Sequence, residues 1–233
     1  MEVELRVSAS ADAARRGAAE LLAEAVARGG HIALSGGSTP GPAYEVAASL
    51  APDWSRAELW FADERCVRPD DERSNYRLVR ERLVDRLERG PGAEHRVRGE
   101  LPAERAADLY EDELRGVALD LVLLGIGADG HTASLFPNDP ALEEQARRAV
   151  PVHRPDVDRV TLTLPVLCGA ETVVFIAVGG DKTETIRRTF AEPRSPETPA
   201  SLVRSTRGIT YAFLDRDAGR DLEPRQVLPE AYK

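Results

Sequence analysis

Apolar and polar positions change period several times along this chain. Residues 3–7 alternate, which predicts a short strand. Residues 11–27 are alanine-rich, with Leu21, Leu22 and Val26 on one helical face, and Gly29-Gly30 supplies the stop. Short apolar runs predict strands at 31–34, 58–61, 119–124, 160–162, 172–177 and 209–214, with a further candidate at 148–152. Helical patterning fills 40–50, 75–87, 102–115 and 181–190. Strands and helices alternate almost throughout, so the pattern predicts an α/β fold: a mostly parallel, Rossmann-like sheet with helices on both faces. The proline- and charge-rich segments at 65–73 and 192–199 are too short for linkers, and no repeat is visible. The expectation is a single domain over residues 1–233, polar from Arg216 and loose at its end.

Composition narrows the classes. The chain has 233 residues, 42% of them hydrophobic, enough for a full core. A net charge of −9 argues against a nucleic-acid partner unless a local basic face exists. An acidic protein that binds an anion must gather its cations in one place. Arginine dominates those cations, and Lys182 and Lys233 are the only lysines, which makes Lys182 conspicuous. Cys66 and Cys168 form no C-x-x-C pair and read as buried free thiols. No apolar run approaches membrane-spanning length, and the start lacks a basic-then-apolar signal pattern. The expectation is a soluble, cytoplasmic protein with no membrane partner.

The candidate chemistry concentrates in Leu124-Gly125-Ile126-Gly127-Ala128-Asp129-Gly130-His131-Thr132-Ala133-Ser134-Leu135-Phe136-Pro137. This stretch leaves the carboxyl end of a buried strand, where open α/β sheets bind ligands. Gly125, Gly127 and Gly130 spell G-x-G-x-x-G, the dinucleotide fingerprint, but Pro137 and Pro140 break the long helix it requires. The next strand candidate also runs into His153 and Arg154 instead of an acid. The glycines fit better as a loop that presents Asp129 and His131. His131 can exchange protons near neutral pH, with Asp129 fixing its tautomer or merely capping the following turn. His31, His95 and His153 lack comparable settings.

Four other segments bear on the site. In Ser35-Gly36-Gly37-Ser38-Thr39-Pro40, a strand ends, two glycines turn, and proline opens a helix capped by Ser38 or Thr39. Such a helix N-terminus is a phosphate site or simply a tight turn; no Walker lysine follows. In Asp63-Glu64-Arg65, one or both of Asp63 and Arg65 point into a crevice, or the run is solvated like its echo Asp71-Glu72-Arg73. Ser74-Asn75 reads as a helix cap or as part of the site. Arg159 opens a strand and faces out or in. Lys182 opens a helix against its dipole, a placement an anionic ligand would explain. Ser134 lacks the elbow of a serine nucleophile.

These segments, in this order over about residues 34–182, resemble the glucosamine-6-phosphate isomerase/6-phosphogluconolactonase family, and specifically its lactonases. The resemblance implies the fold shared with glucosamine-6-phosphate deaminase and ribose-5-phosphate isomerase. It implies hydrolysis of 6-phospho-D-glucono-1,5-lactone to 6-phospho-D-gluconate in the oxidative pentose phosphate pathway, with no metal or organic cofactor. It implies His131 as the base that activates water, with Asp129 beside it. Gly36, Gly37, Ser38, Thr39, Arg159 and Lys182 are implied to hold phosphate, and Asp63, Arg65 and Asn75 to contribute to substrate binding. The partner is then a small phosphosugar lactone, and the protein a monomer or small homo-oligomer. The deaminases carry Asp-Glu-Tyr where this chain has Asp63-Glu64-Arg65, and a glutamate shortly after the histidine, where this chain reads Leu135-Phe136-Pro137. A non-catalytic sugar-phosphate sensor would carry a DNA-binding extension, which the strand beginning at Val3 leaves no room for.

Overall fold

The computed structural model describes residues 3–222. β1 (Val3–Ser8) leads into α1 (Ala11–Arg28), which Ser10 opens by accepting the Ala13 N–H at 3.2 Å and Gly29 closes at φ 83°. β2 (Gly30–Leu34), α2 (Pro40–Leu50) and β3 (Ala57–Phe61) follow, then the short β4 (Asp63–Arg65) and α3 (Asn75–Arg82). β5 (Ala93–His95), α4 (Ala103–Glu113) and β6 (Leu121–Gly125) come next. β7 (Ala149–Val152), β8 (Arg159–Leu162), α5 (Leu164–Cys168), β9 (Thr172–Ala177), α6 (Thr183–Phe190) and β10 (Ile209–Asp215) complete the order.

Seven strands form one parallel sheet in the order β1-β10-β9-β6-β2-β3-β5. Both faces are covered, so apolar side chains fill both directions of each central strand. Ile32, Leu34, Leu59, Phe61, Leu121 and Leu123 pack on one face with buried residues of α1, α2 and α3. Ala33, Trp60, Val122, Leu124 and Phe175 pack on the other with α4, α5 and α6. The chain winds from β2 to β3 in one direction and from β6 to β9 in the other, so the sheet reverses between β2 and β6. The loops that leave these two strands therefore diverge and open a crevice at the carboxyl edge. Among the described residues no helix is long and apolar enough to cross a membrane.

The expected parallel sheet with helices on both faces is present, and the strand boundaries agree within a few residues. A second sheet was not predicted. β4, β8 and β7 pair antiparallel as a three-stranded sheet against α4. Residues 149–152 and 159–162 are thus strands, but outside the main sheet, and Asp63–Arg65 forms a strand with them. One residue links the sheets: the Ala62 N–H donates to Leu34 O, and Ala62 O accepts the Leu162 N–H, both at 2.8 Å. β5 and α5 are three and five residues long, too short for either period to register. The helix expected over 75–87 stops at Arg82 and continues as a separate 3-10 turn, Val84–Arg86, because Leu83 leaves helical geometry at φ −131° and ψ −72°. The helix expected from residue 181 likewise begins as a 3-10 turn, Gly180–Lys182. Of the loose end expected after Arg216, residues 223–233 lie outside the described residues.

Candidate active site

Two buried tyrosines fix the strand ends that frame the crevice. Tyr44 of α2 donates to Ser35 O at 2.6 Å, past the end of β2. Tyr110 of α4 donates to Phe61 O and accepts the Phe61 N–H, both at 2.8 Å, at the end of β3. Ser35 then joins β2 to β6, donating to Leu123 O at 3.0 Å and accepting the Gly125 N–H at 3.3 Å. Between these anchored ends lies a cavity of about 470 Å³, a size suited to a small metabolite.

One wall is the turn at residues 36–39. Gly37 takes φ 110°, in the left-handed region that favours glycine. Thr39 makes no side-chain cap bond, contrary to the cap expected from Ser38 or Thr39. The backbone there is already helical, at φ −82° and ψ −48°, which aims the hydroxyl away from the N–H groups it would accept. The N–H groups of Gly36, Gly37, Ser38 and Thr39 therefore have no hydrogen-bond partner among the described residues. Four open donors at a helix N-terminus form an anion cradle.

A second wall comes from the small sheet. Asp63 and Arg65 are i and i+2 on β4, so both side chains point the same way, into the cavity. Glu64 points oppositely and is buried beneath α3, accepting N–H bonds from Arg65, Asn75 and Tyr76 and the Ser74 hydroxyl at 2.7–3.0 Å. Burial pushes its carboxyl up to about 7, against the pull of these four donors. Ser74, not Asn75, caps α3 by accepting the Arg77 N–H at 3.2 Å. That leaves Asn75 free to donate to Asp63 Oδ1 at 3.0 Å and to Asp63 O at 2.9 Å. Asn75 Oδ1 is buried without a partner. Arg159 on β8 faces the same cavity, ion-paired at 2.8 Å to exposed Asp156.

His131 stands on the loop after β6. Its Nδ1 lies 2.5 Å from Asp129 Oδ1, which also accepts the His131 N–H at 3.1 Å, so Asp129 both caps the turn and orients the ring. Burial works to raise the Asp129 pKa, but the His131 amide and ring outweigh it and hold the carboxyl below its usual value. An ionised carboxylate only accepts, so Nδ1 carries the proton and Nε2 is left as the basic nitrogen. The loop is held rigidly: Gly127 N–H donates to His131 O at 2.8 Å, Thr132 to Gly125 O at 2.9 Å, and Thr185 to Ala128 O at 2.7 Å. Ala133 takes φ 48°, a strained position for a residue with a Cβ, beside the histidine. Phe136 lies under the His131 ring at 4.8 Å, with the Arg154 and Arg159 guanidiniums 4.2 and 5.2 Å from its own ring.

The structure brings the expected residues together. Gly36, Gly37, Ser38, Thr39, Asp63, Arg65, Asn75, His131, Arg159 and Lys182 all line this cavity, and Asp129 stands behind His131. Lys182 sits at the start of α6 with no ion-pair partner among the described residues. Ser134 is fully buried and donates to Asp63 Oδ2 at 2.6 Å, so its hydroxyl braces Asp63 and does not reach the cavity. The echo Asp71-Glu72-Arg73 is on the surface, with Arg73 paired to Asp71. The other histidines lie elsewhere: His31 and His95 surround Trp60, and His153 is exposed between Glu104 and Asp158. Cys66 and Cys168 are half-buried free thiols rather than core residues. Sequence reasoning missed Arg15, Ser35 and Asp181, which also line the cavity. Only Ser35 carried a local signal, its place in the glycine turn.

Comparison with known proteins agrees with this geometry. The family model described as glucosamine-6-phosphate isomerases/6-phosphogluconolactonase matches residues 6–212. The chain is 39% identical over 204 residues to 6-phosphogluconolactonase of Homo sapiens, covering 81% of this chain and 79% of that protein. It is 35% identical to the Synechocystis 6-phosphogluconolactonase, covering 84% of this chain and 85% of the other. The crystal structure of 6-phosphogluconolactonase from Thermotoga maritima superposes with a TM-score of 0.76 at 30% identity, over 92% of this chain and 99% of that one. A monomeric glucosamine-6-phosphate deaminase superposes at 0.78 over 94% of this chain and 99% of the other, but at 20% identity it shares only the fold.

Proposed function

The chain belongs to the glucosamine-6-phosphate isomerase/6-phosphogluconolactonase family, and we propose that it hydrolyses 6-phospho-D-glucono-1,5-lactone to 6-phospho-D-gluconate in the oxidative pentose phosphate pathway. The observation that carries this reading is one cavity holding both an oriented imidazole and an anion cradle: His131 backed by Asp129, and the four open N–H groups of residues 36–39 with Lys182.

A lactone carbonyl is already electrophilic, so the enzyme needs orientation and a base more than a covalent nucleophile. The cradle, Arg159 and Lys182 hold the phosphate and set C1 toward His131. Such anchoring supplies several kcal/mol, up to ~7–11 kcal/mol at the most favourable limit. His131 Nε2 takes a proton from water as its oxygen attacks C1, a step worth ~10²–10⁴-fold. Asp129 stabilises the imidazolium that forms. Arg65 meets the negative charge that develops on the carbonyl oxygen. The tetrahedral intermediate then collapses, the C1–ring oxygen bond breaks, and His131 returns its proton to the departing ring oxygen. The new carboxyl group ionises, which releases the acid an assay detects. Asp63, held by Ser134 and Asn75, lines the cavity as an acceptor for sugar hydroxyls, and Asn75 Oδ1 is a second acceptor.

Every residue in this scheme comes from one chain, so a monomer suffices. The reading is of a cytoplasmic enzyme acting on a small phosphosugar, without membrane or nucleic acid. Deamination is disfavoured because Leu135-Phe136-Pro137 offers no acid after the histidine. The test is acid release from freshly made 6-phosphogluconolactone above the spontaneous rate, beside ammonia release from glucosamine 6-phosphate. Lactone turnover without ammonia is expected; ammonia release, or no lactone turnover, refutes the assignment.

A further inference from the structure

We infer that Arg15, on α1, is a further cation of the phosphate end, beside Arg159 and Lys182, and sets the affinity for the phosphorylated substrate. The inference rests on the lactonase reading for the identity of the ligand, but its geometry is independent of the reaction.

α1 follows a strand of a parallel sheet, so its first turns lie at the carboxyl edge, beside the cavity. Arg15 emerges from α1 next to Ala14, Ala18 and Ala19, which are fully buried. Its side chain lines the same cavity as the turn at residues 36–39 and Lys182. α1 covers one face of the sheet and α6 the other, so Arg15 and Lys182 approach from opposite faces.

The partners of Arg15 are incomplete. Nη1 pairs at 3.0 Å with Asp12, three residues earlier, whose side chain is 93% exposed. Such a pair is weak, because water competes for both groups. Nε is buried and has no hydrogen-bond partner. A buried guanidinium N–H without an acceptor is costly, and a phosphate oxygen satisfies it.

The experiment uses Arg15→Met and Arg15→Lys in the full chain. Calorimetric titration with 6-phosphogluconate is expected to show Kd weakened by about 10–100-fold in R15M, with part of the loss recovered in R15K. In steady-state hydrolysis KM rises by a similar factor while kcat changes far less, and the thermal midpoint stays within a few degrees of the parent. Unchanged affinity for 6-phosphogluconate in R15M, or a fall in kcat with KM unmoved, overturns the assignment. If the parent fails to hydrolyse the lactone yet binds 6-phosphogluconate through Arg15, the lactonase reading fails and this one stands.

Discussion

Arg65 and Arg159 stand directly opposite one another across the antiparallel β4–β8 pair, both facing the cavity and each with a buried Nε that has no partner. Like charges in facing positions repel, and the cost is on the order of 0.2–1 kcal/mol. Each arginine has its own neighbour, Arg73 O at 2.6 Å for Arg65 and Asp156 for Arg159, but among the described residues no carboxylate pairs with both to absorb the repulsion. An anionic ligand does so when it binds. Arg65→Gln should therefore raise the thermal midpoint by up to about 2–4 °C while lowering kcat/KM. Calorimetry and kinetics on the same preparation decide it; a destabilised variant would show that the pair is not in conflict.

Removing the base should separate chemistry from binding. His131→Ala is expected to lower kcat by about 10²–10⁴-fold and leave the Kd for 6-phosphogluconate within about threefold, since no part of the phosphate cradle changes. Asp129→Asn should also lower kcat, because an amide no longer enforces the proton on Nδ1. Steady-state hydrolysis at the parent rate in His131→Ala would remove the histidine from the mechanism.

Two glycines test geometry in different ways. A Cβ on Gly127 would fall 2.1 Å from His131 Cε1 and Nδ1, and the half-exposed ring can swing aside. Gly127→Ala should fold normally yet lose about 10²-fold in activity. A Cβ on Gly36 would fall 1.9 Å from Asn75 Oδ1, whose side chain is buried and tied to Asp63. Gly36→Ala should cost about 1–3 kcal/mol of stability as well as activity. Denaturant unfolding of both variants checks the contrast; equal stability losses would contradict it.

Glu64 predicts a pH dependence of folding. Its carboxyl rises from the ordinary 4.5 to about 7 in the native state because burial disfavours the charge. The native form then binds the extra proton between those values, so the stability Glu64 contributes is complete below about 4.5, declines as pH rises to about 7, and is lost above it. The decline is at most ~3 kcal/mol from this group. Glu64→Gln should be less stable overall, since an amide N–H₂ meets backbone donors, but its stability should lose this slope between pH 5 and 7. Urea titrations across that range give the comparison; an identical slope in the variant would assign it elsewhere.

The alternating strands and helices were legible because both faces of the main sheet are buried, which writes continuous apolar runs into β2, β3, β6 and β9. The small sheet was not. β4 is three polar residues whose strand character comes entirely from pairing with β8, nearly a hundred residues away. The same pairing decides that Asp63 and Arg65 face the cavity and that Glu64 turns away to receive α3. Asn75 looked like one of two interchangeable helix caps until Ser74 took that place and released it to Asp63.

Local sequence encodes the strand-loop-helix turns that expose backbone N–H groups, and the pair Asp129–His131, because those contacts span only a few residues. Tertiary structure decided which charges converge. Arg15 comes from the first helix, Arg65 and Arg159 from a second sheet, and Lys182 from the far side of the main one. No local period encodes such a meeting; it follows from where the sheet reverses between β2 and β6, and from the buried surfaces that fix each element around that opening.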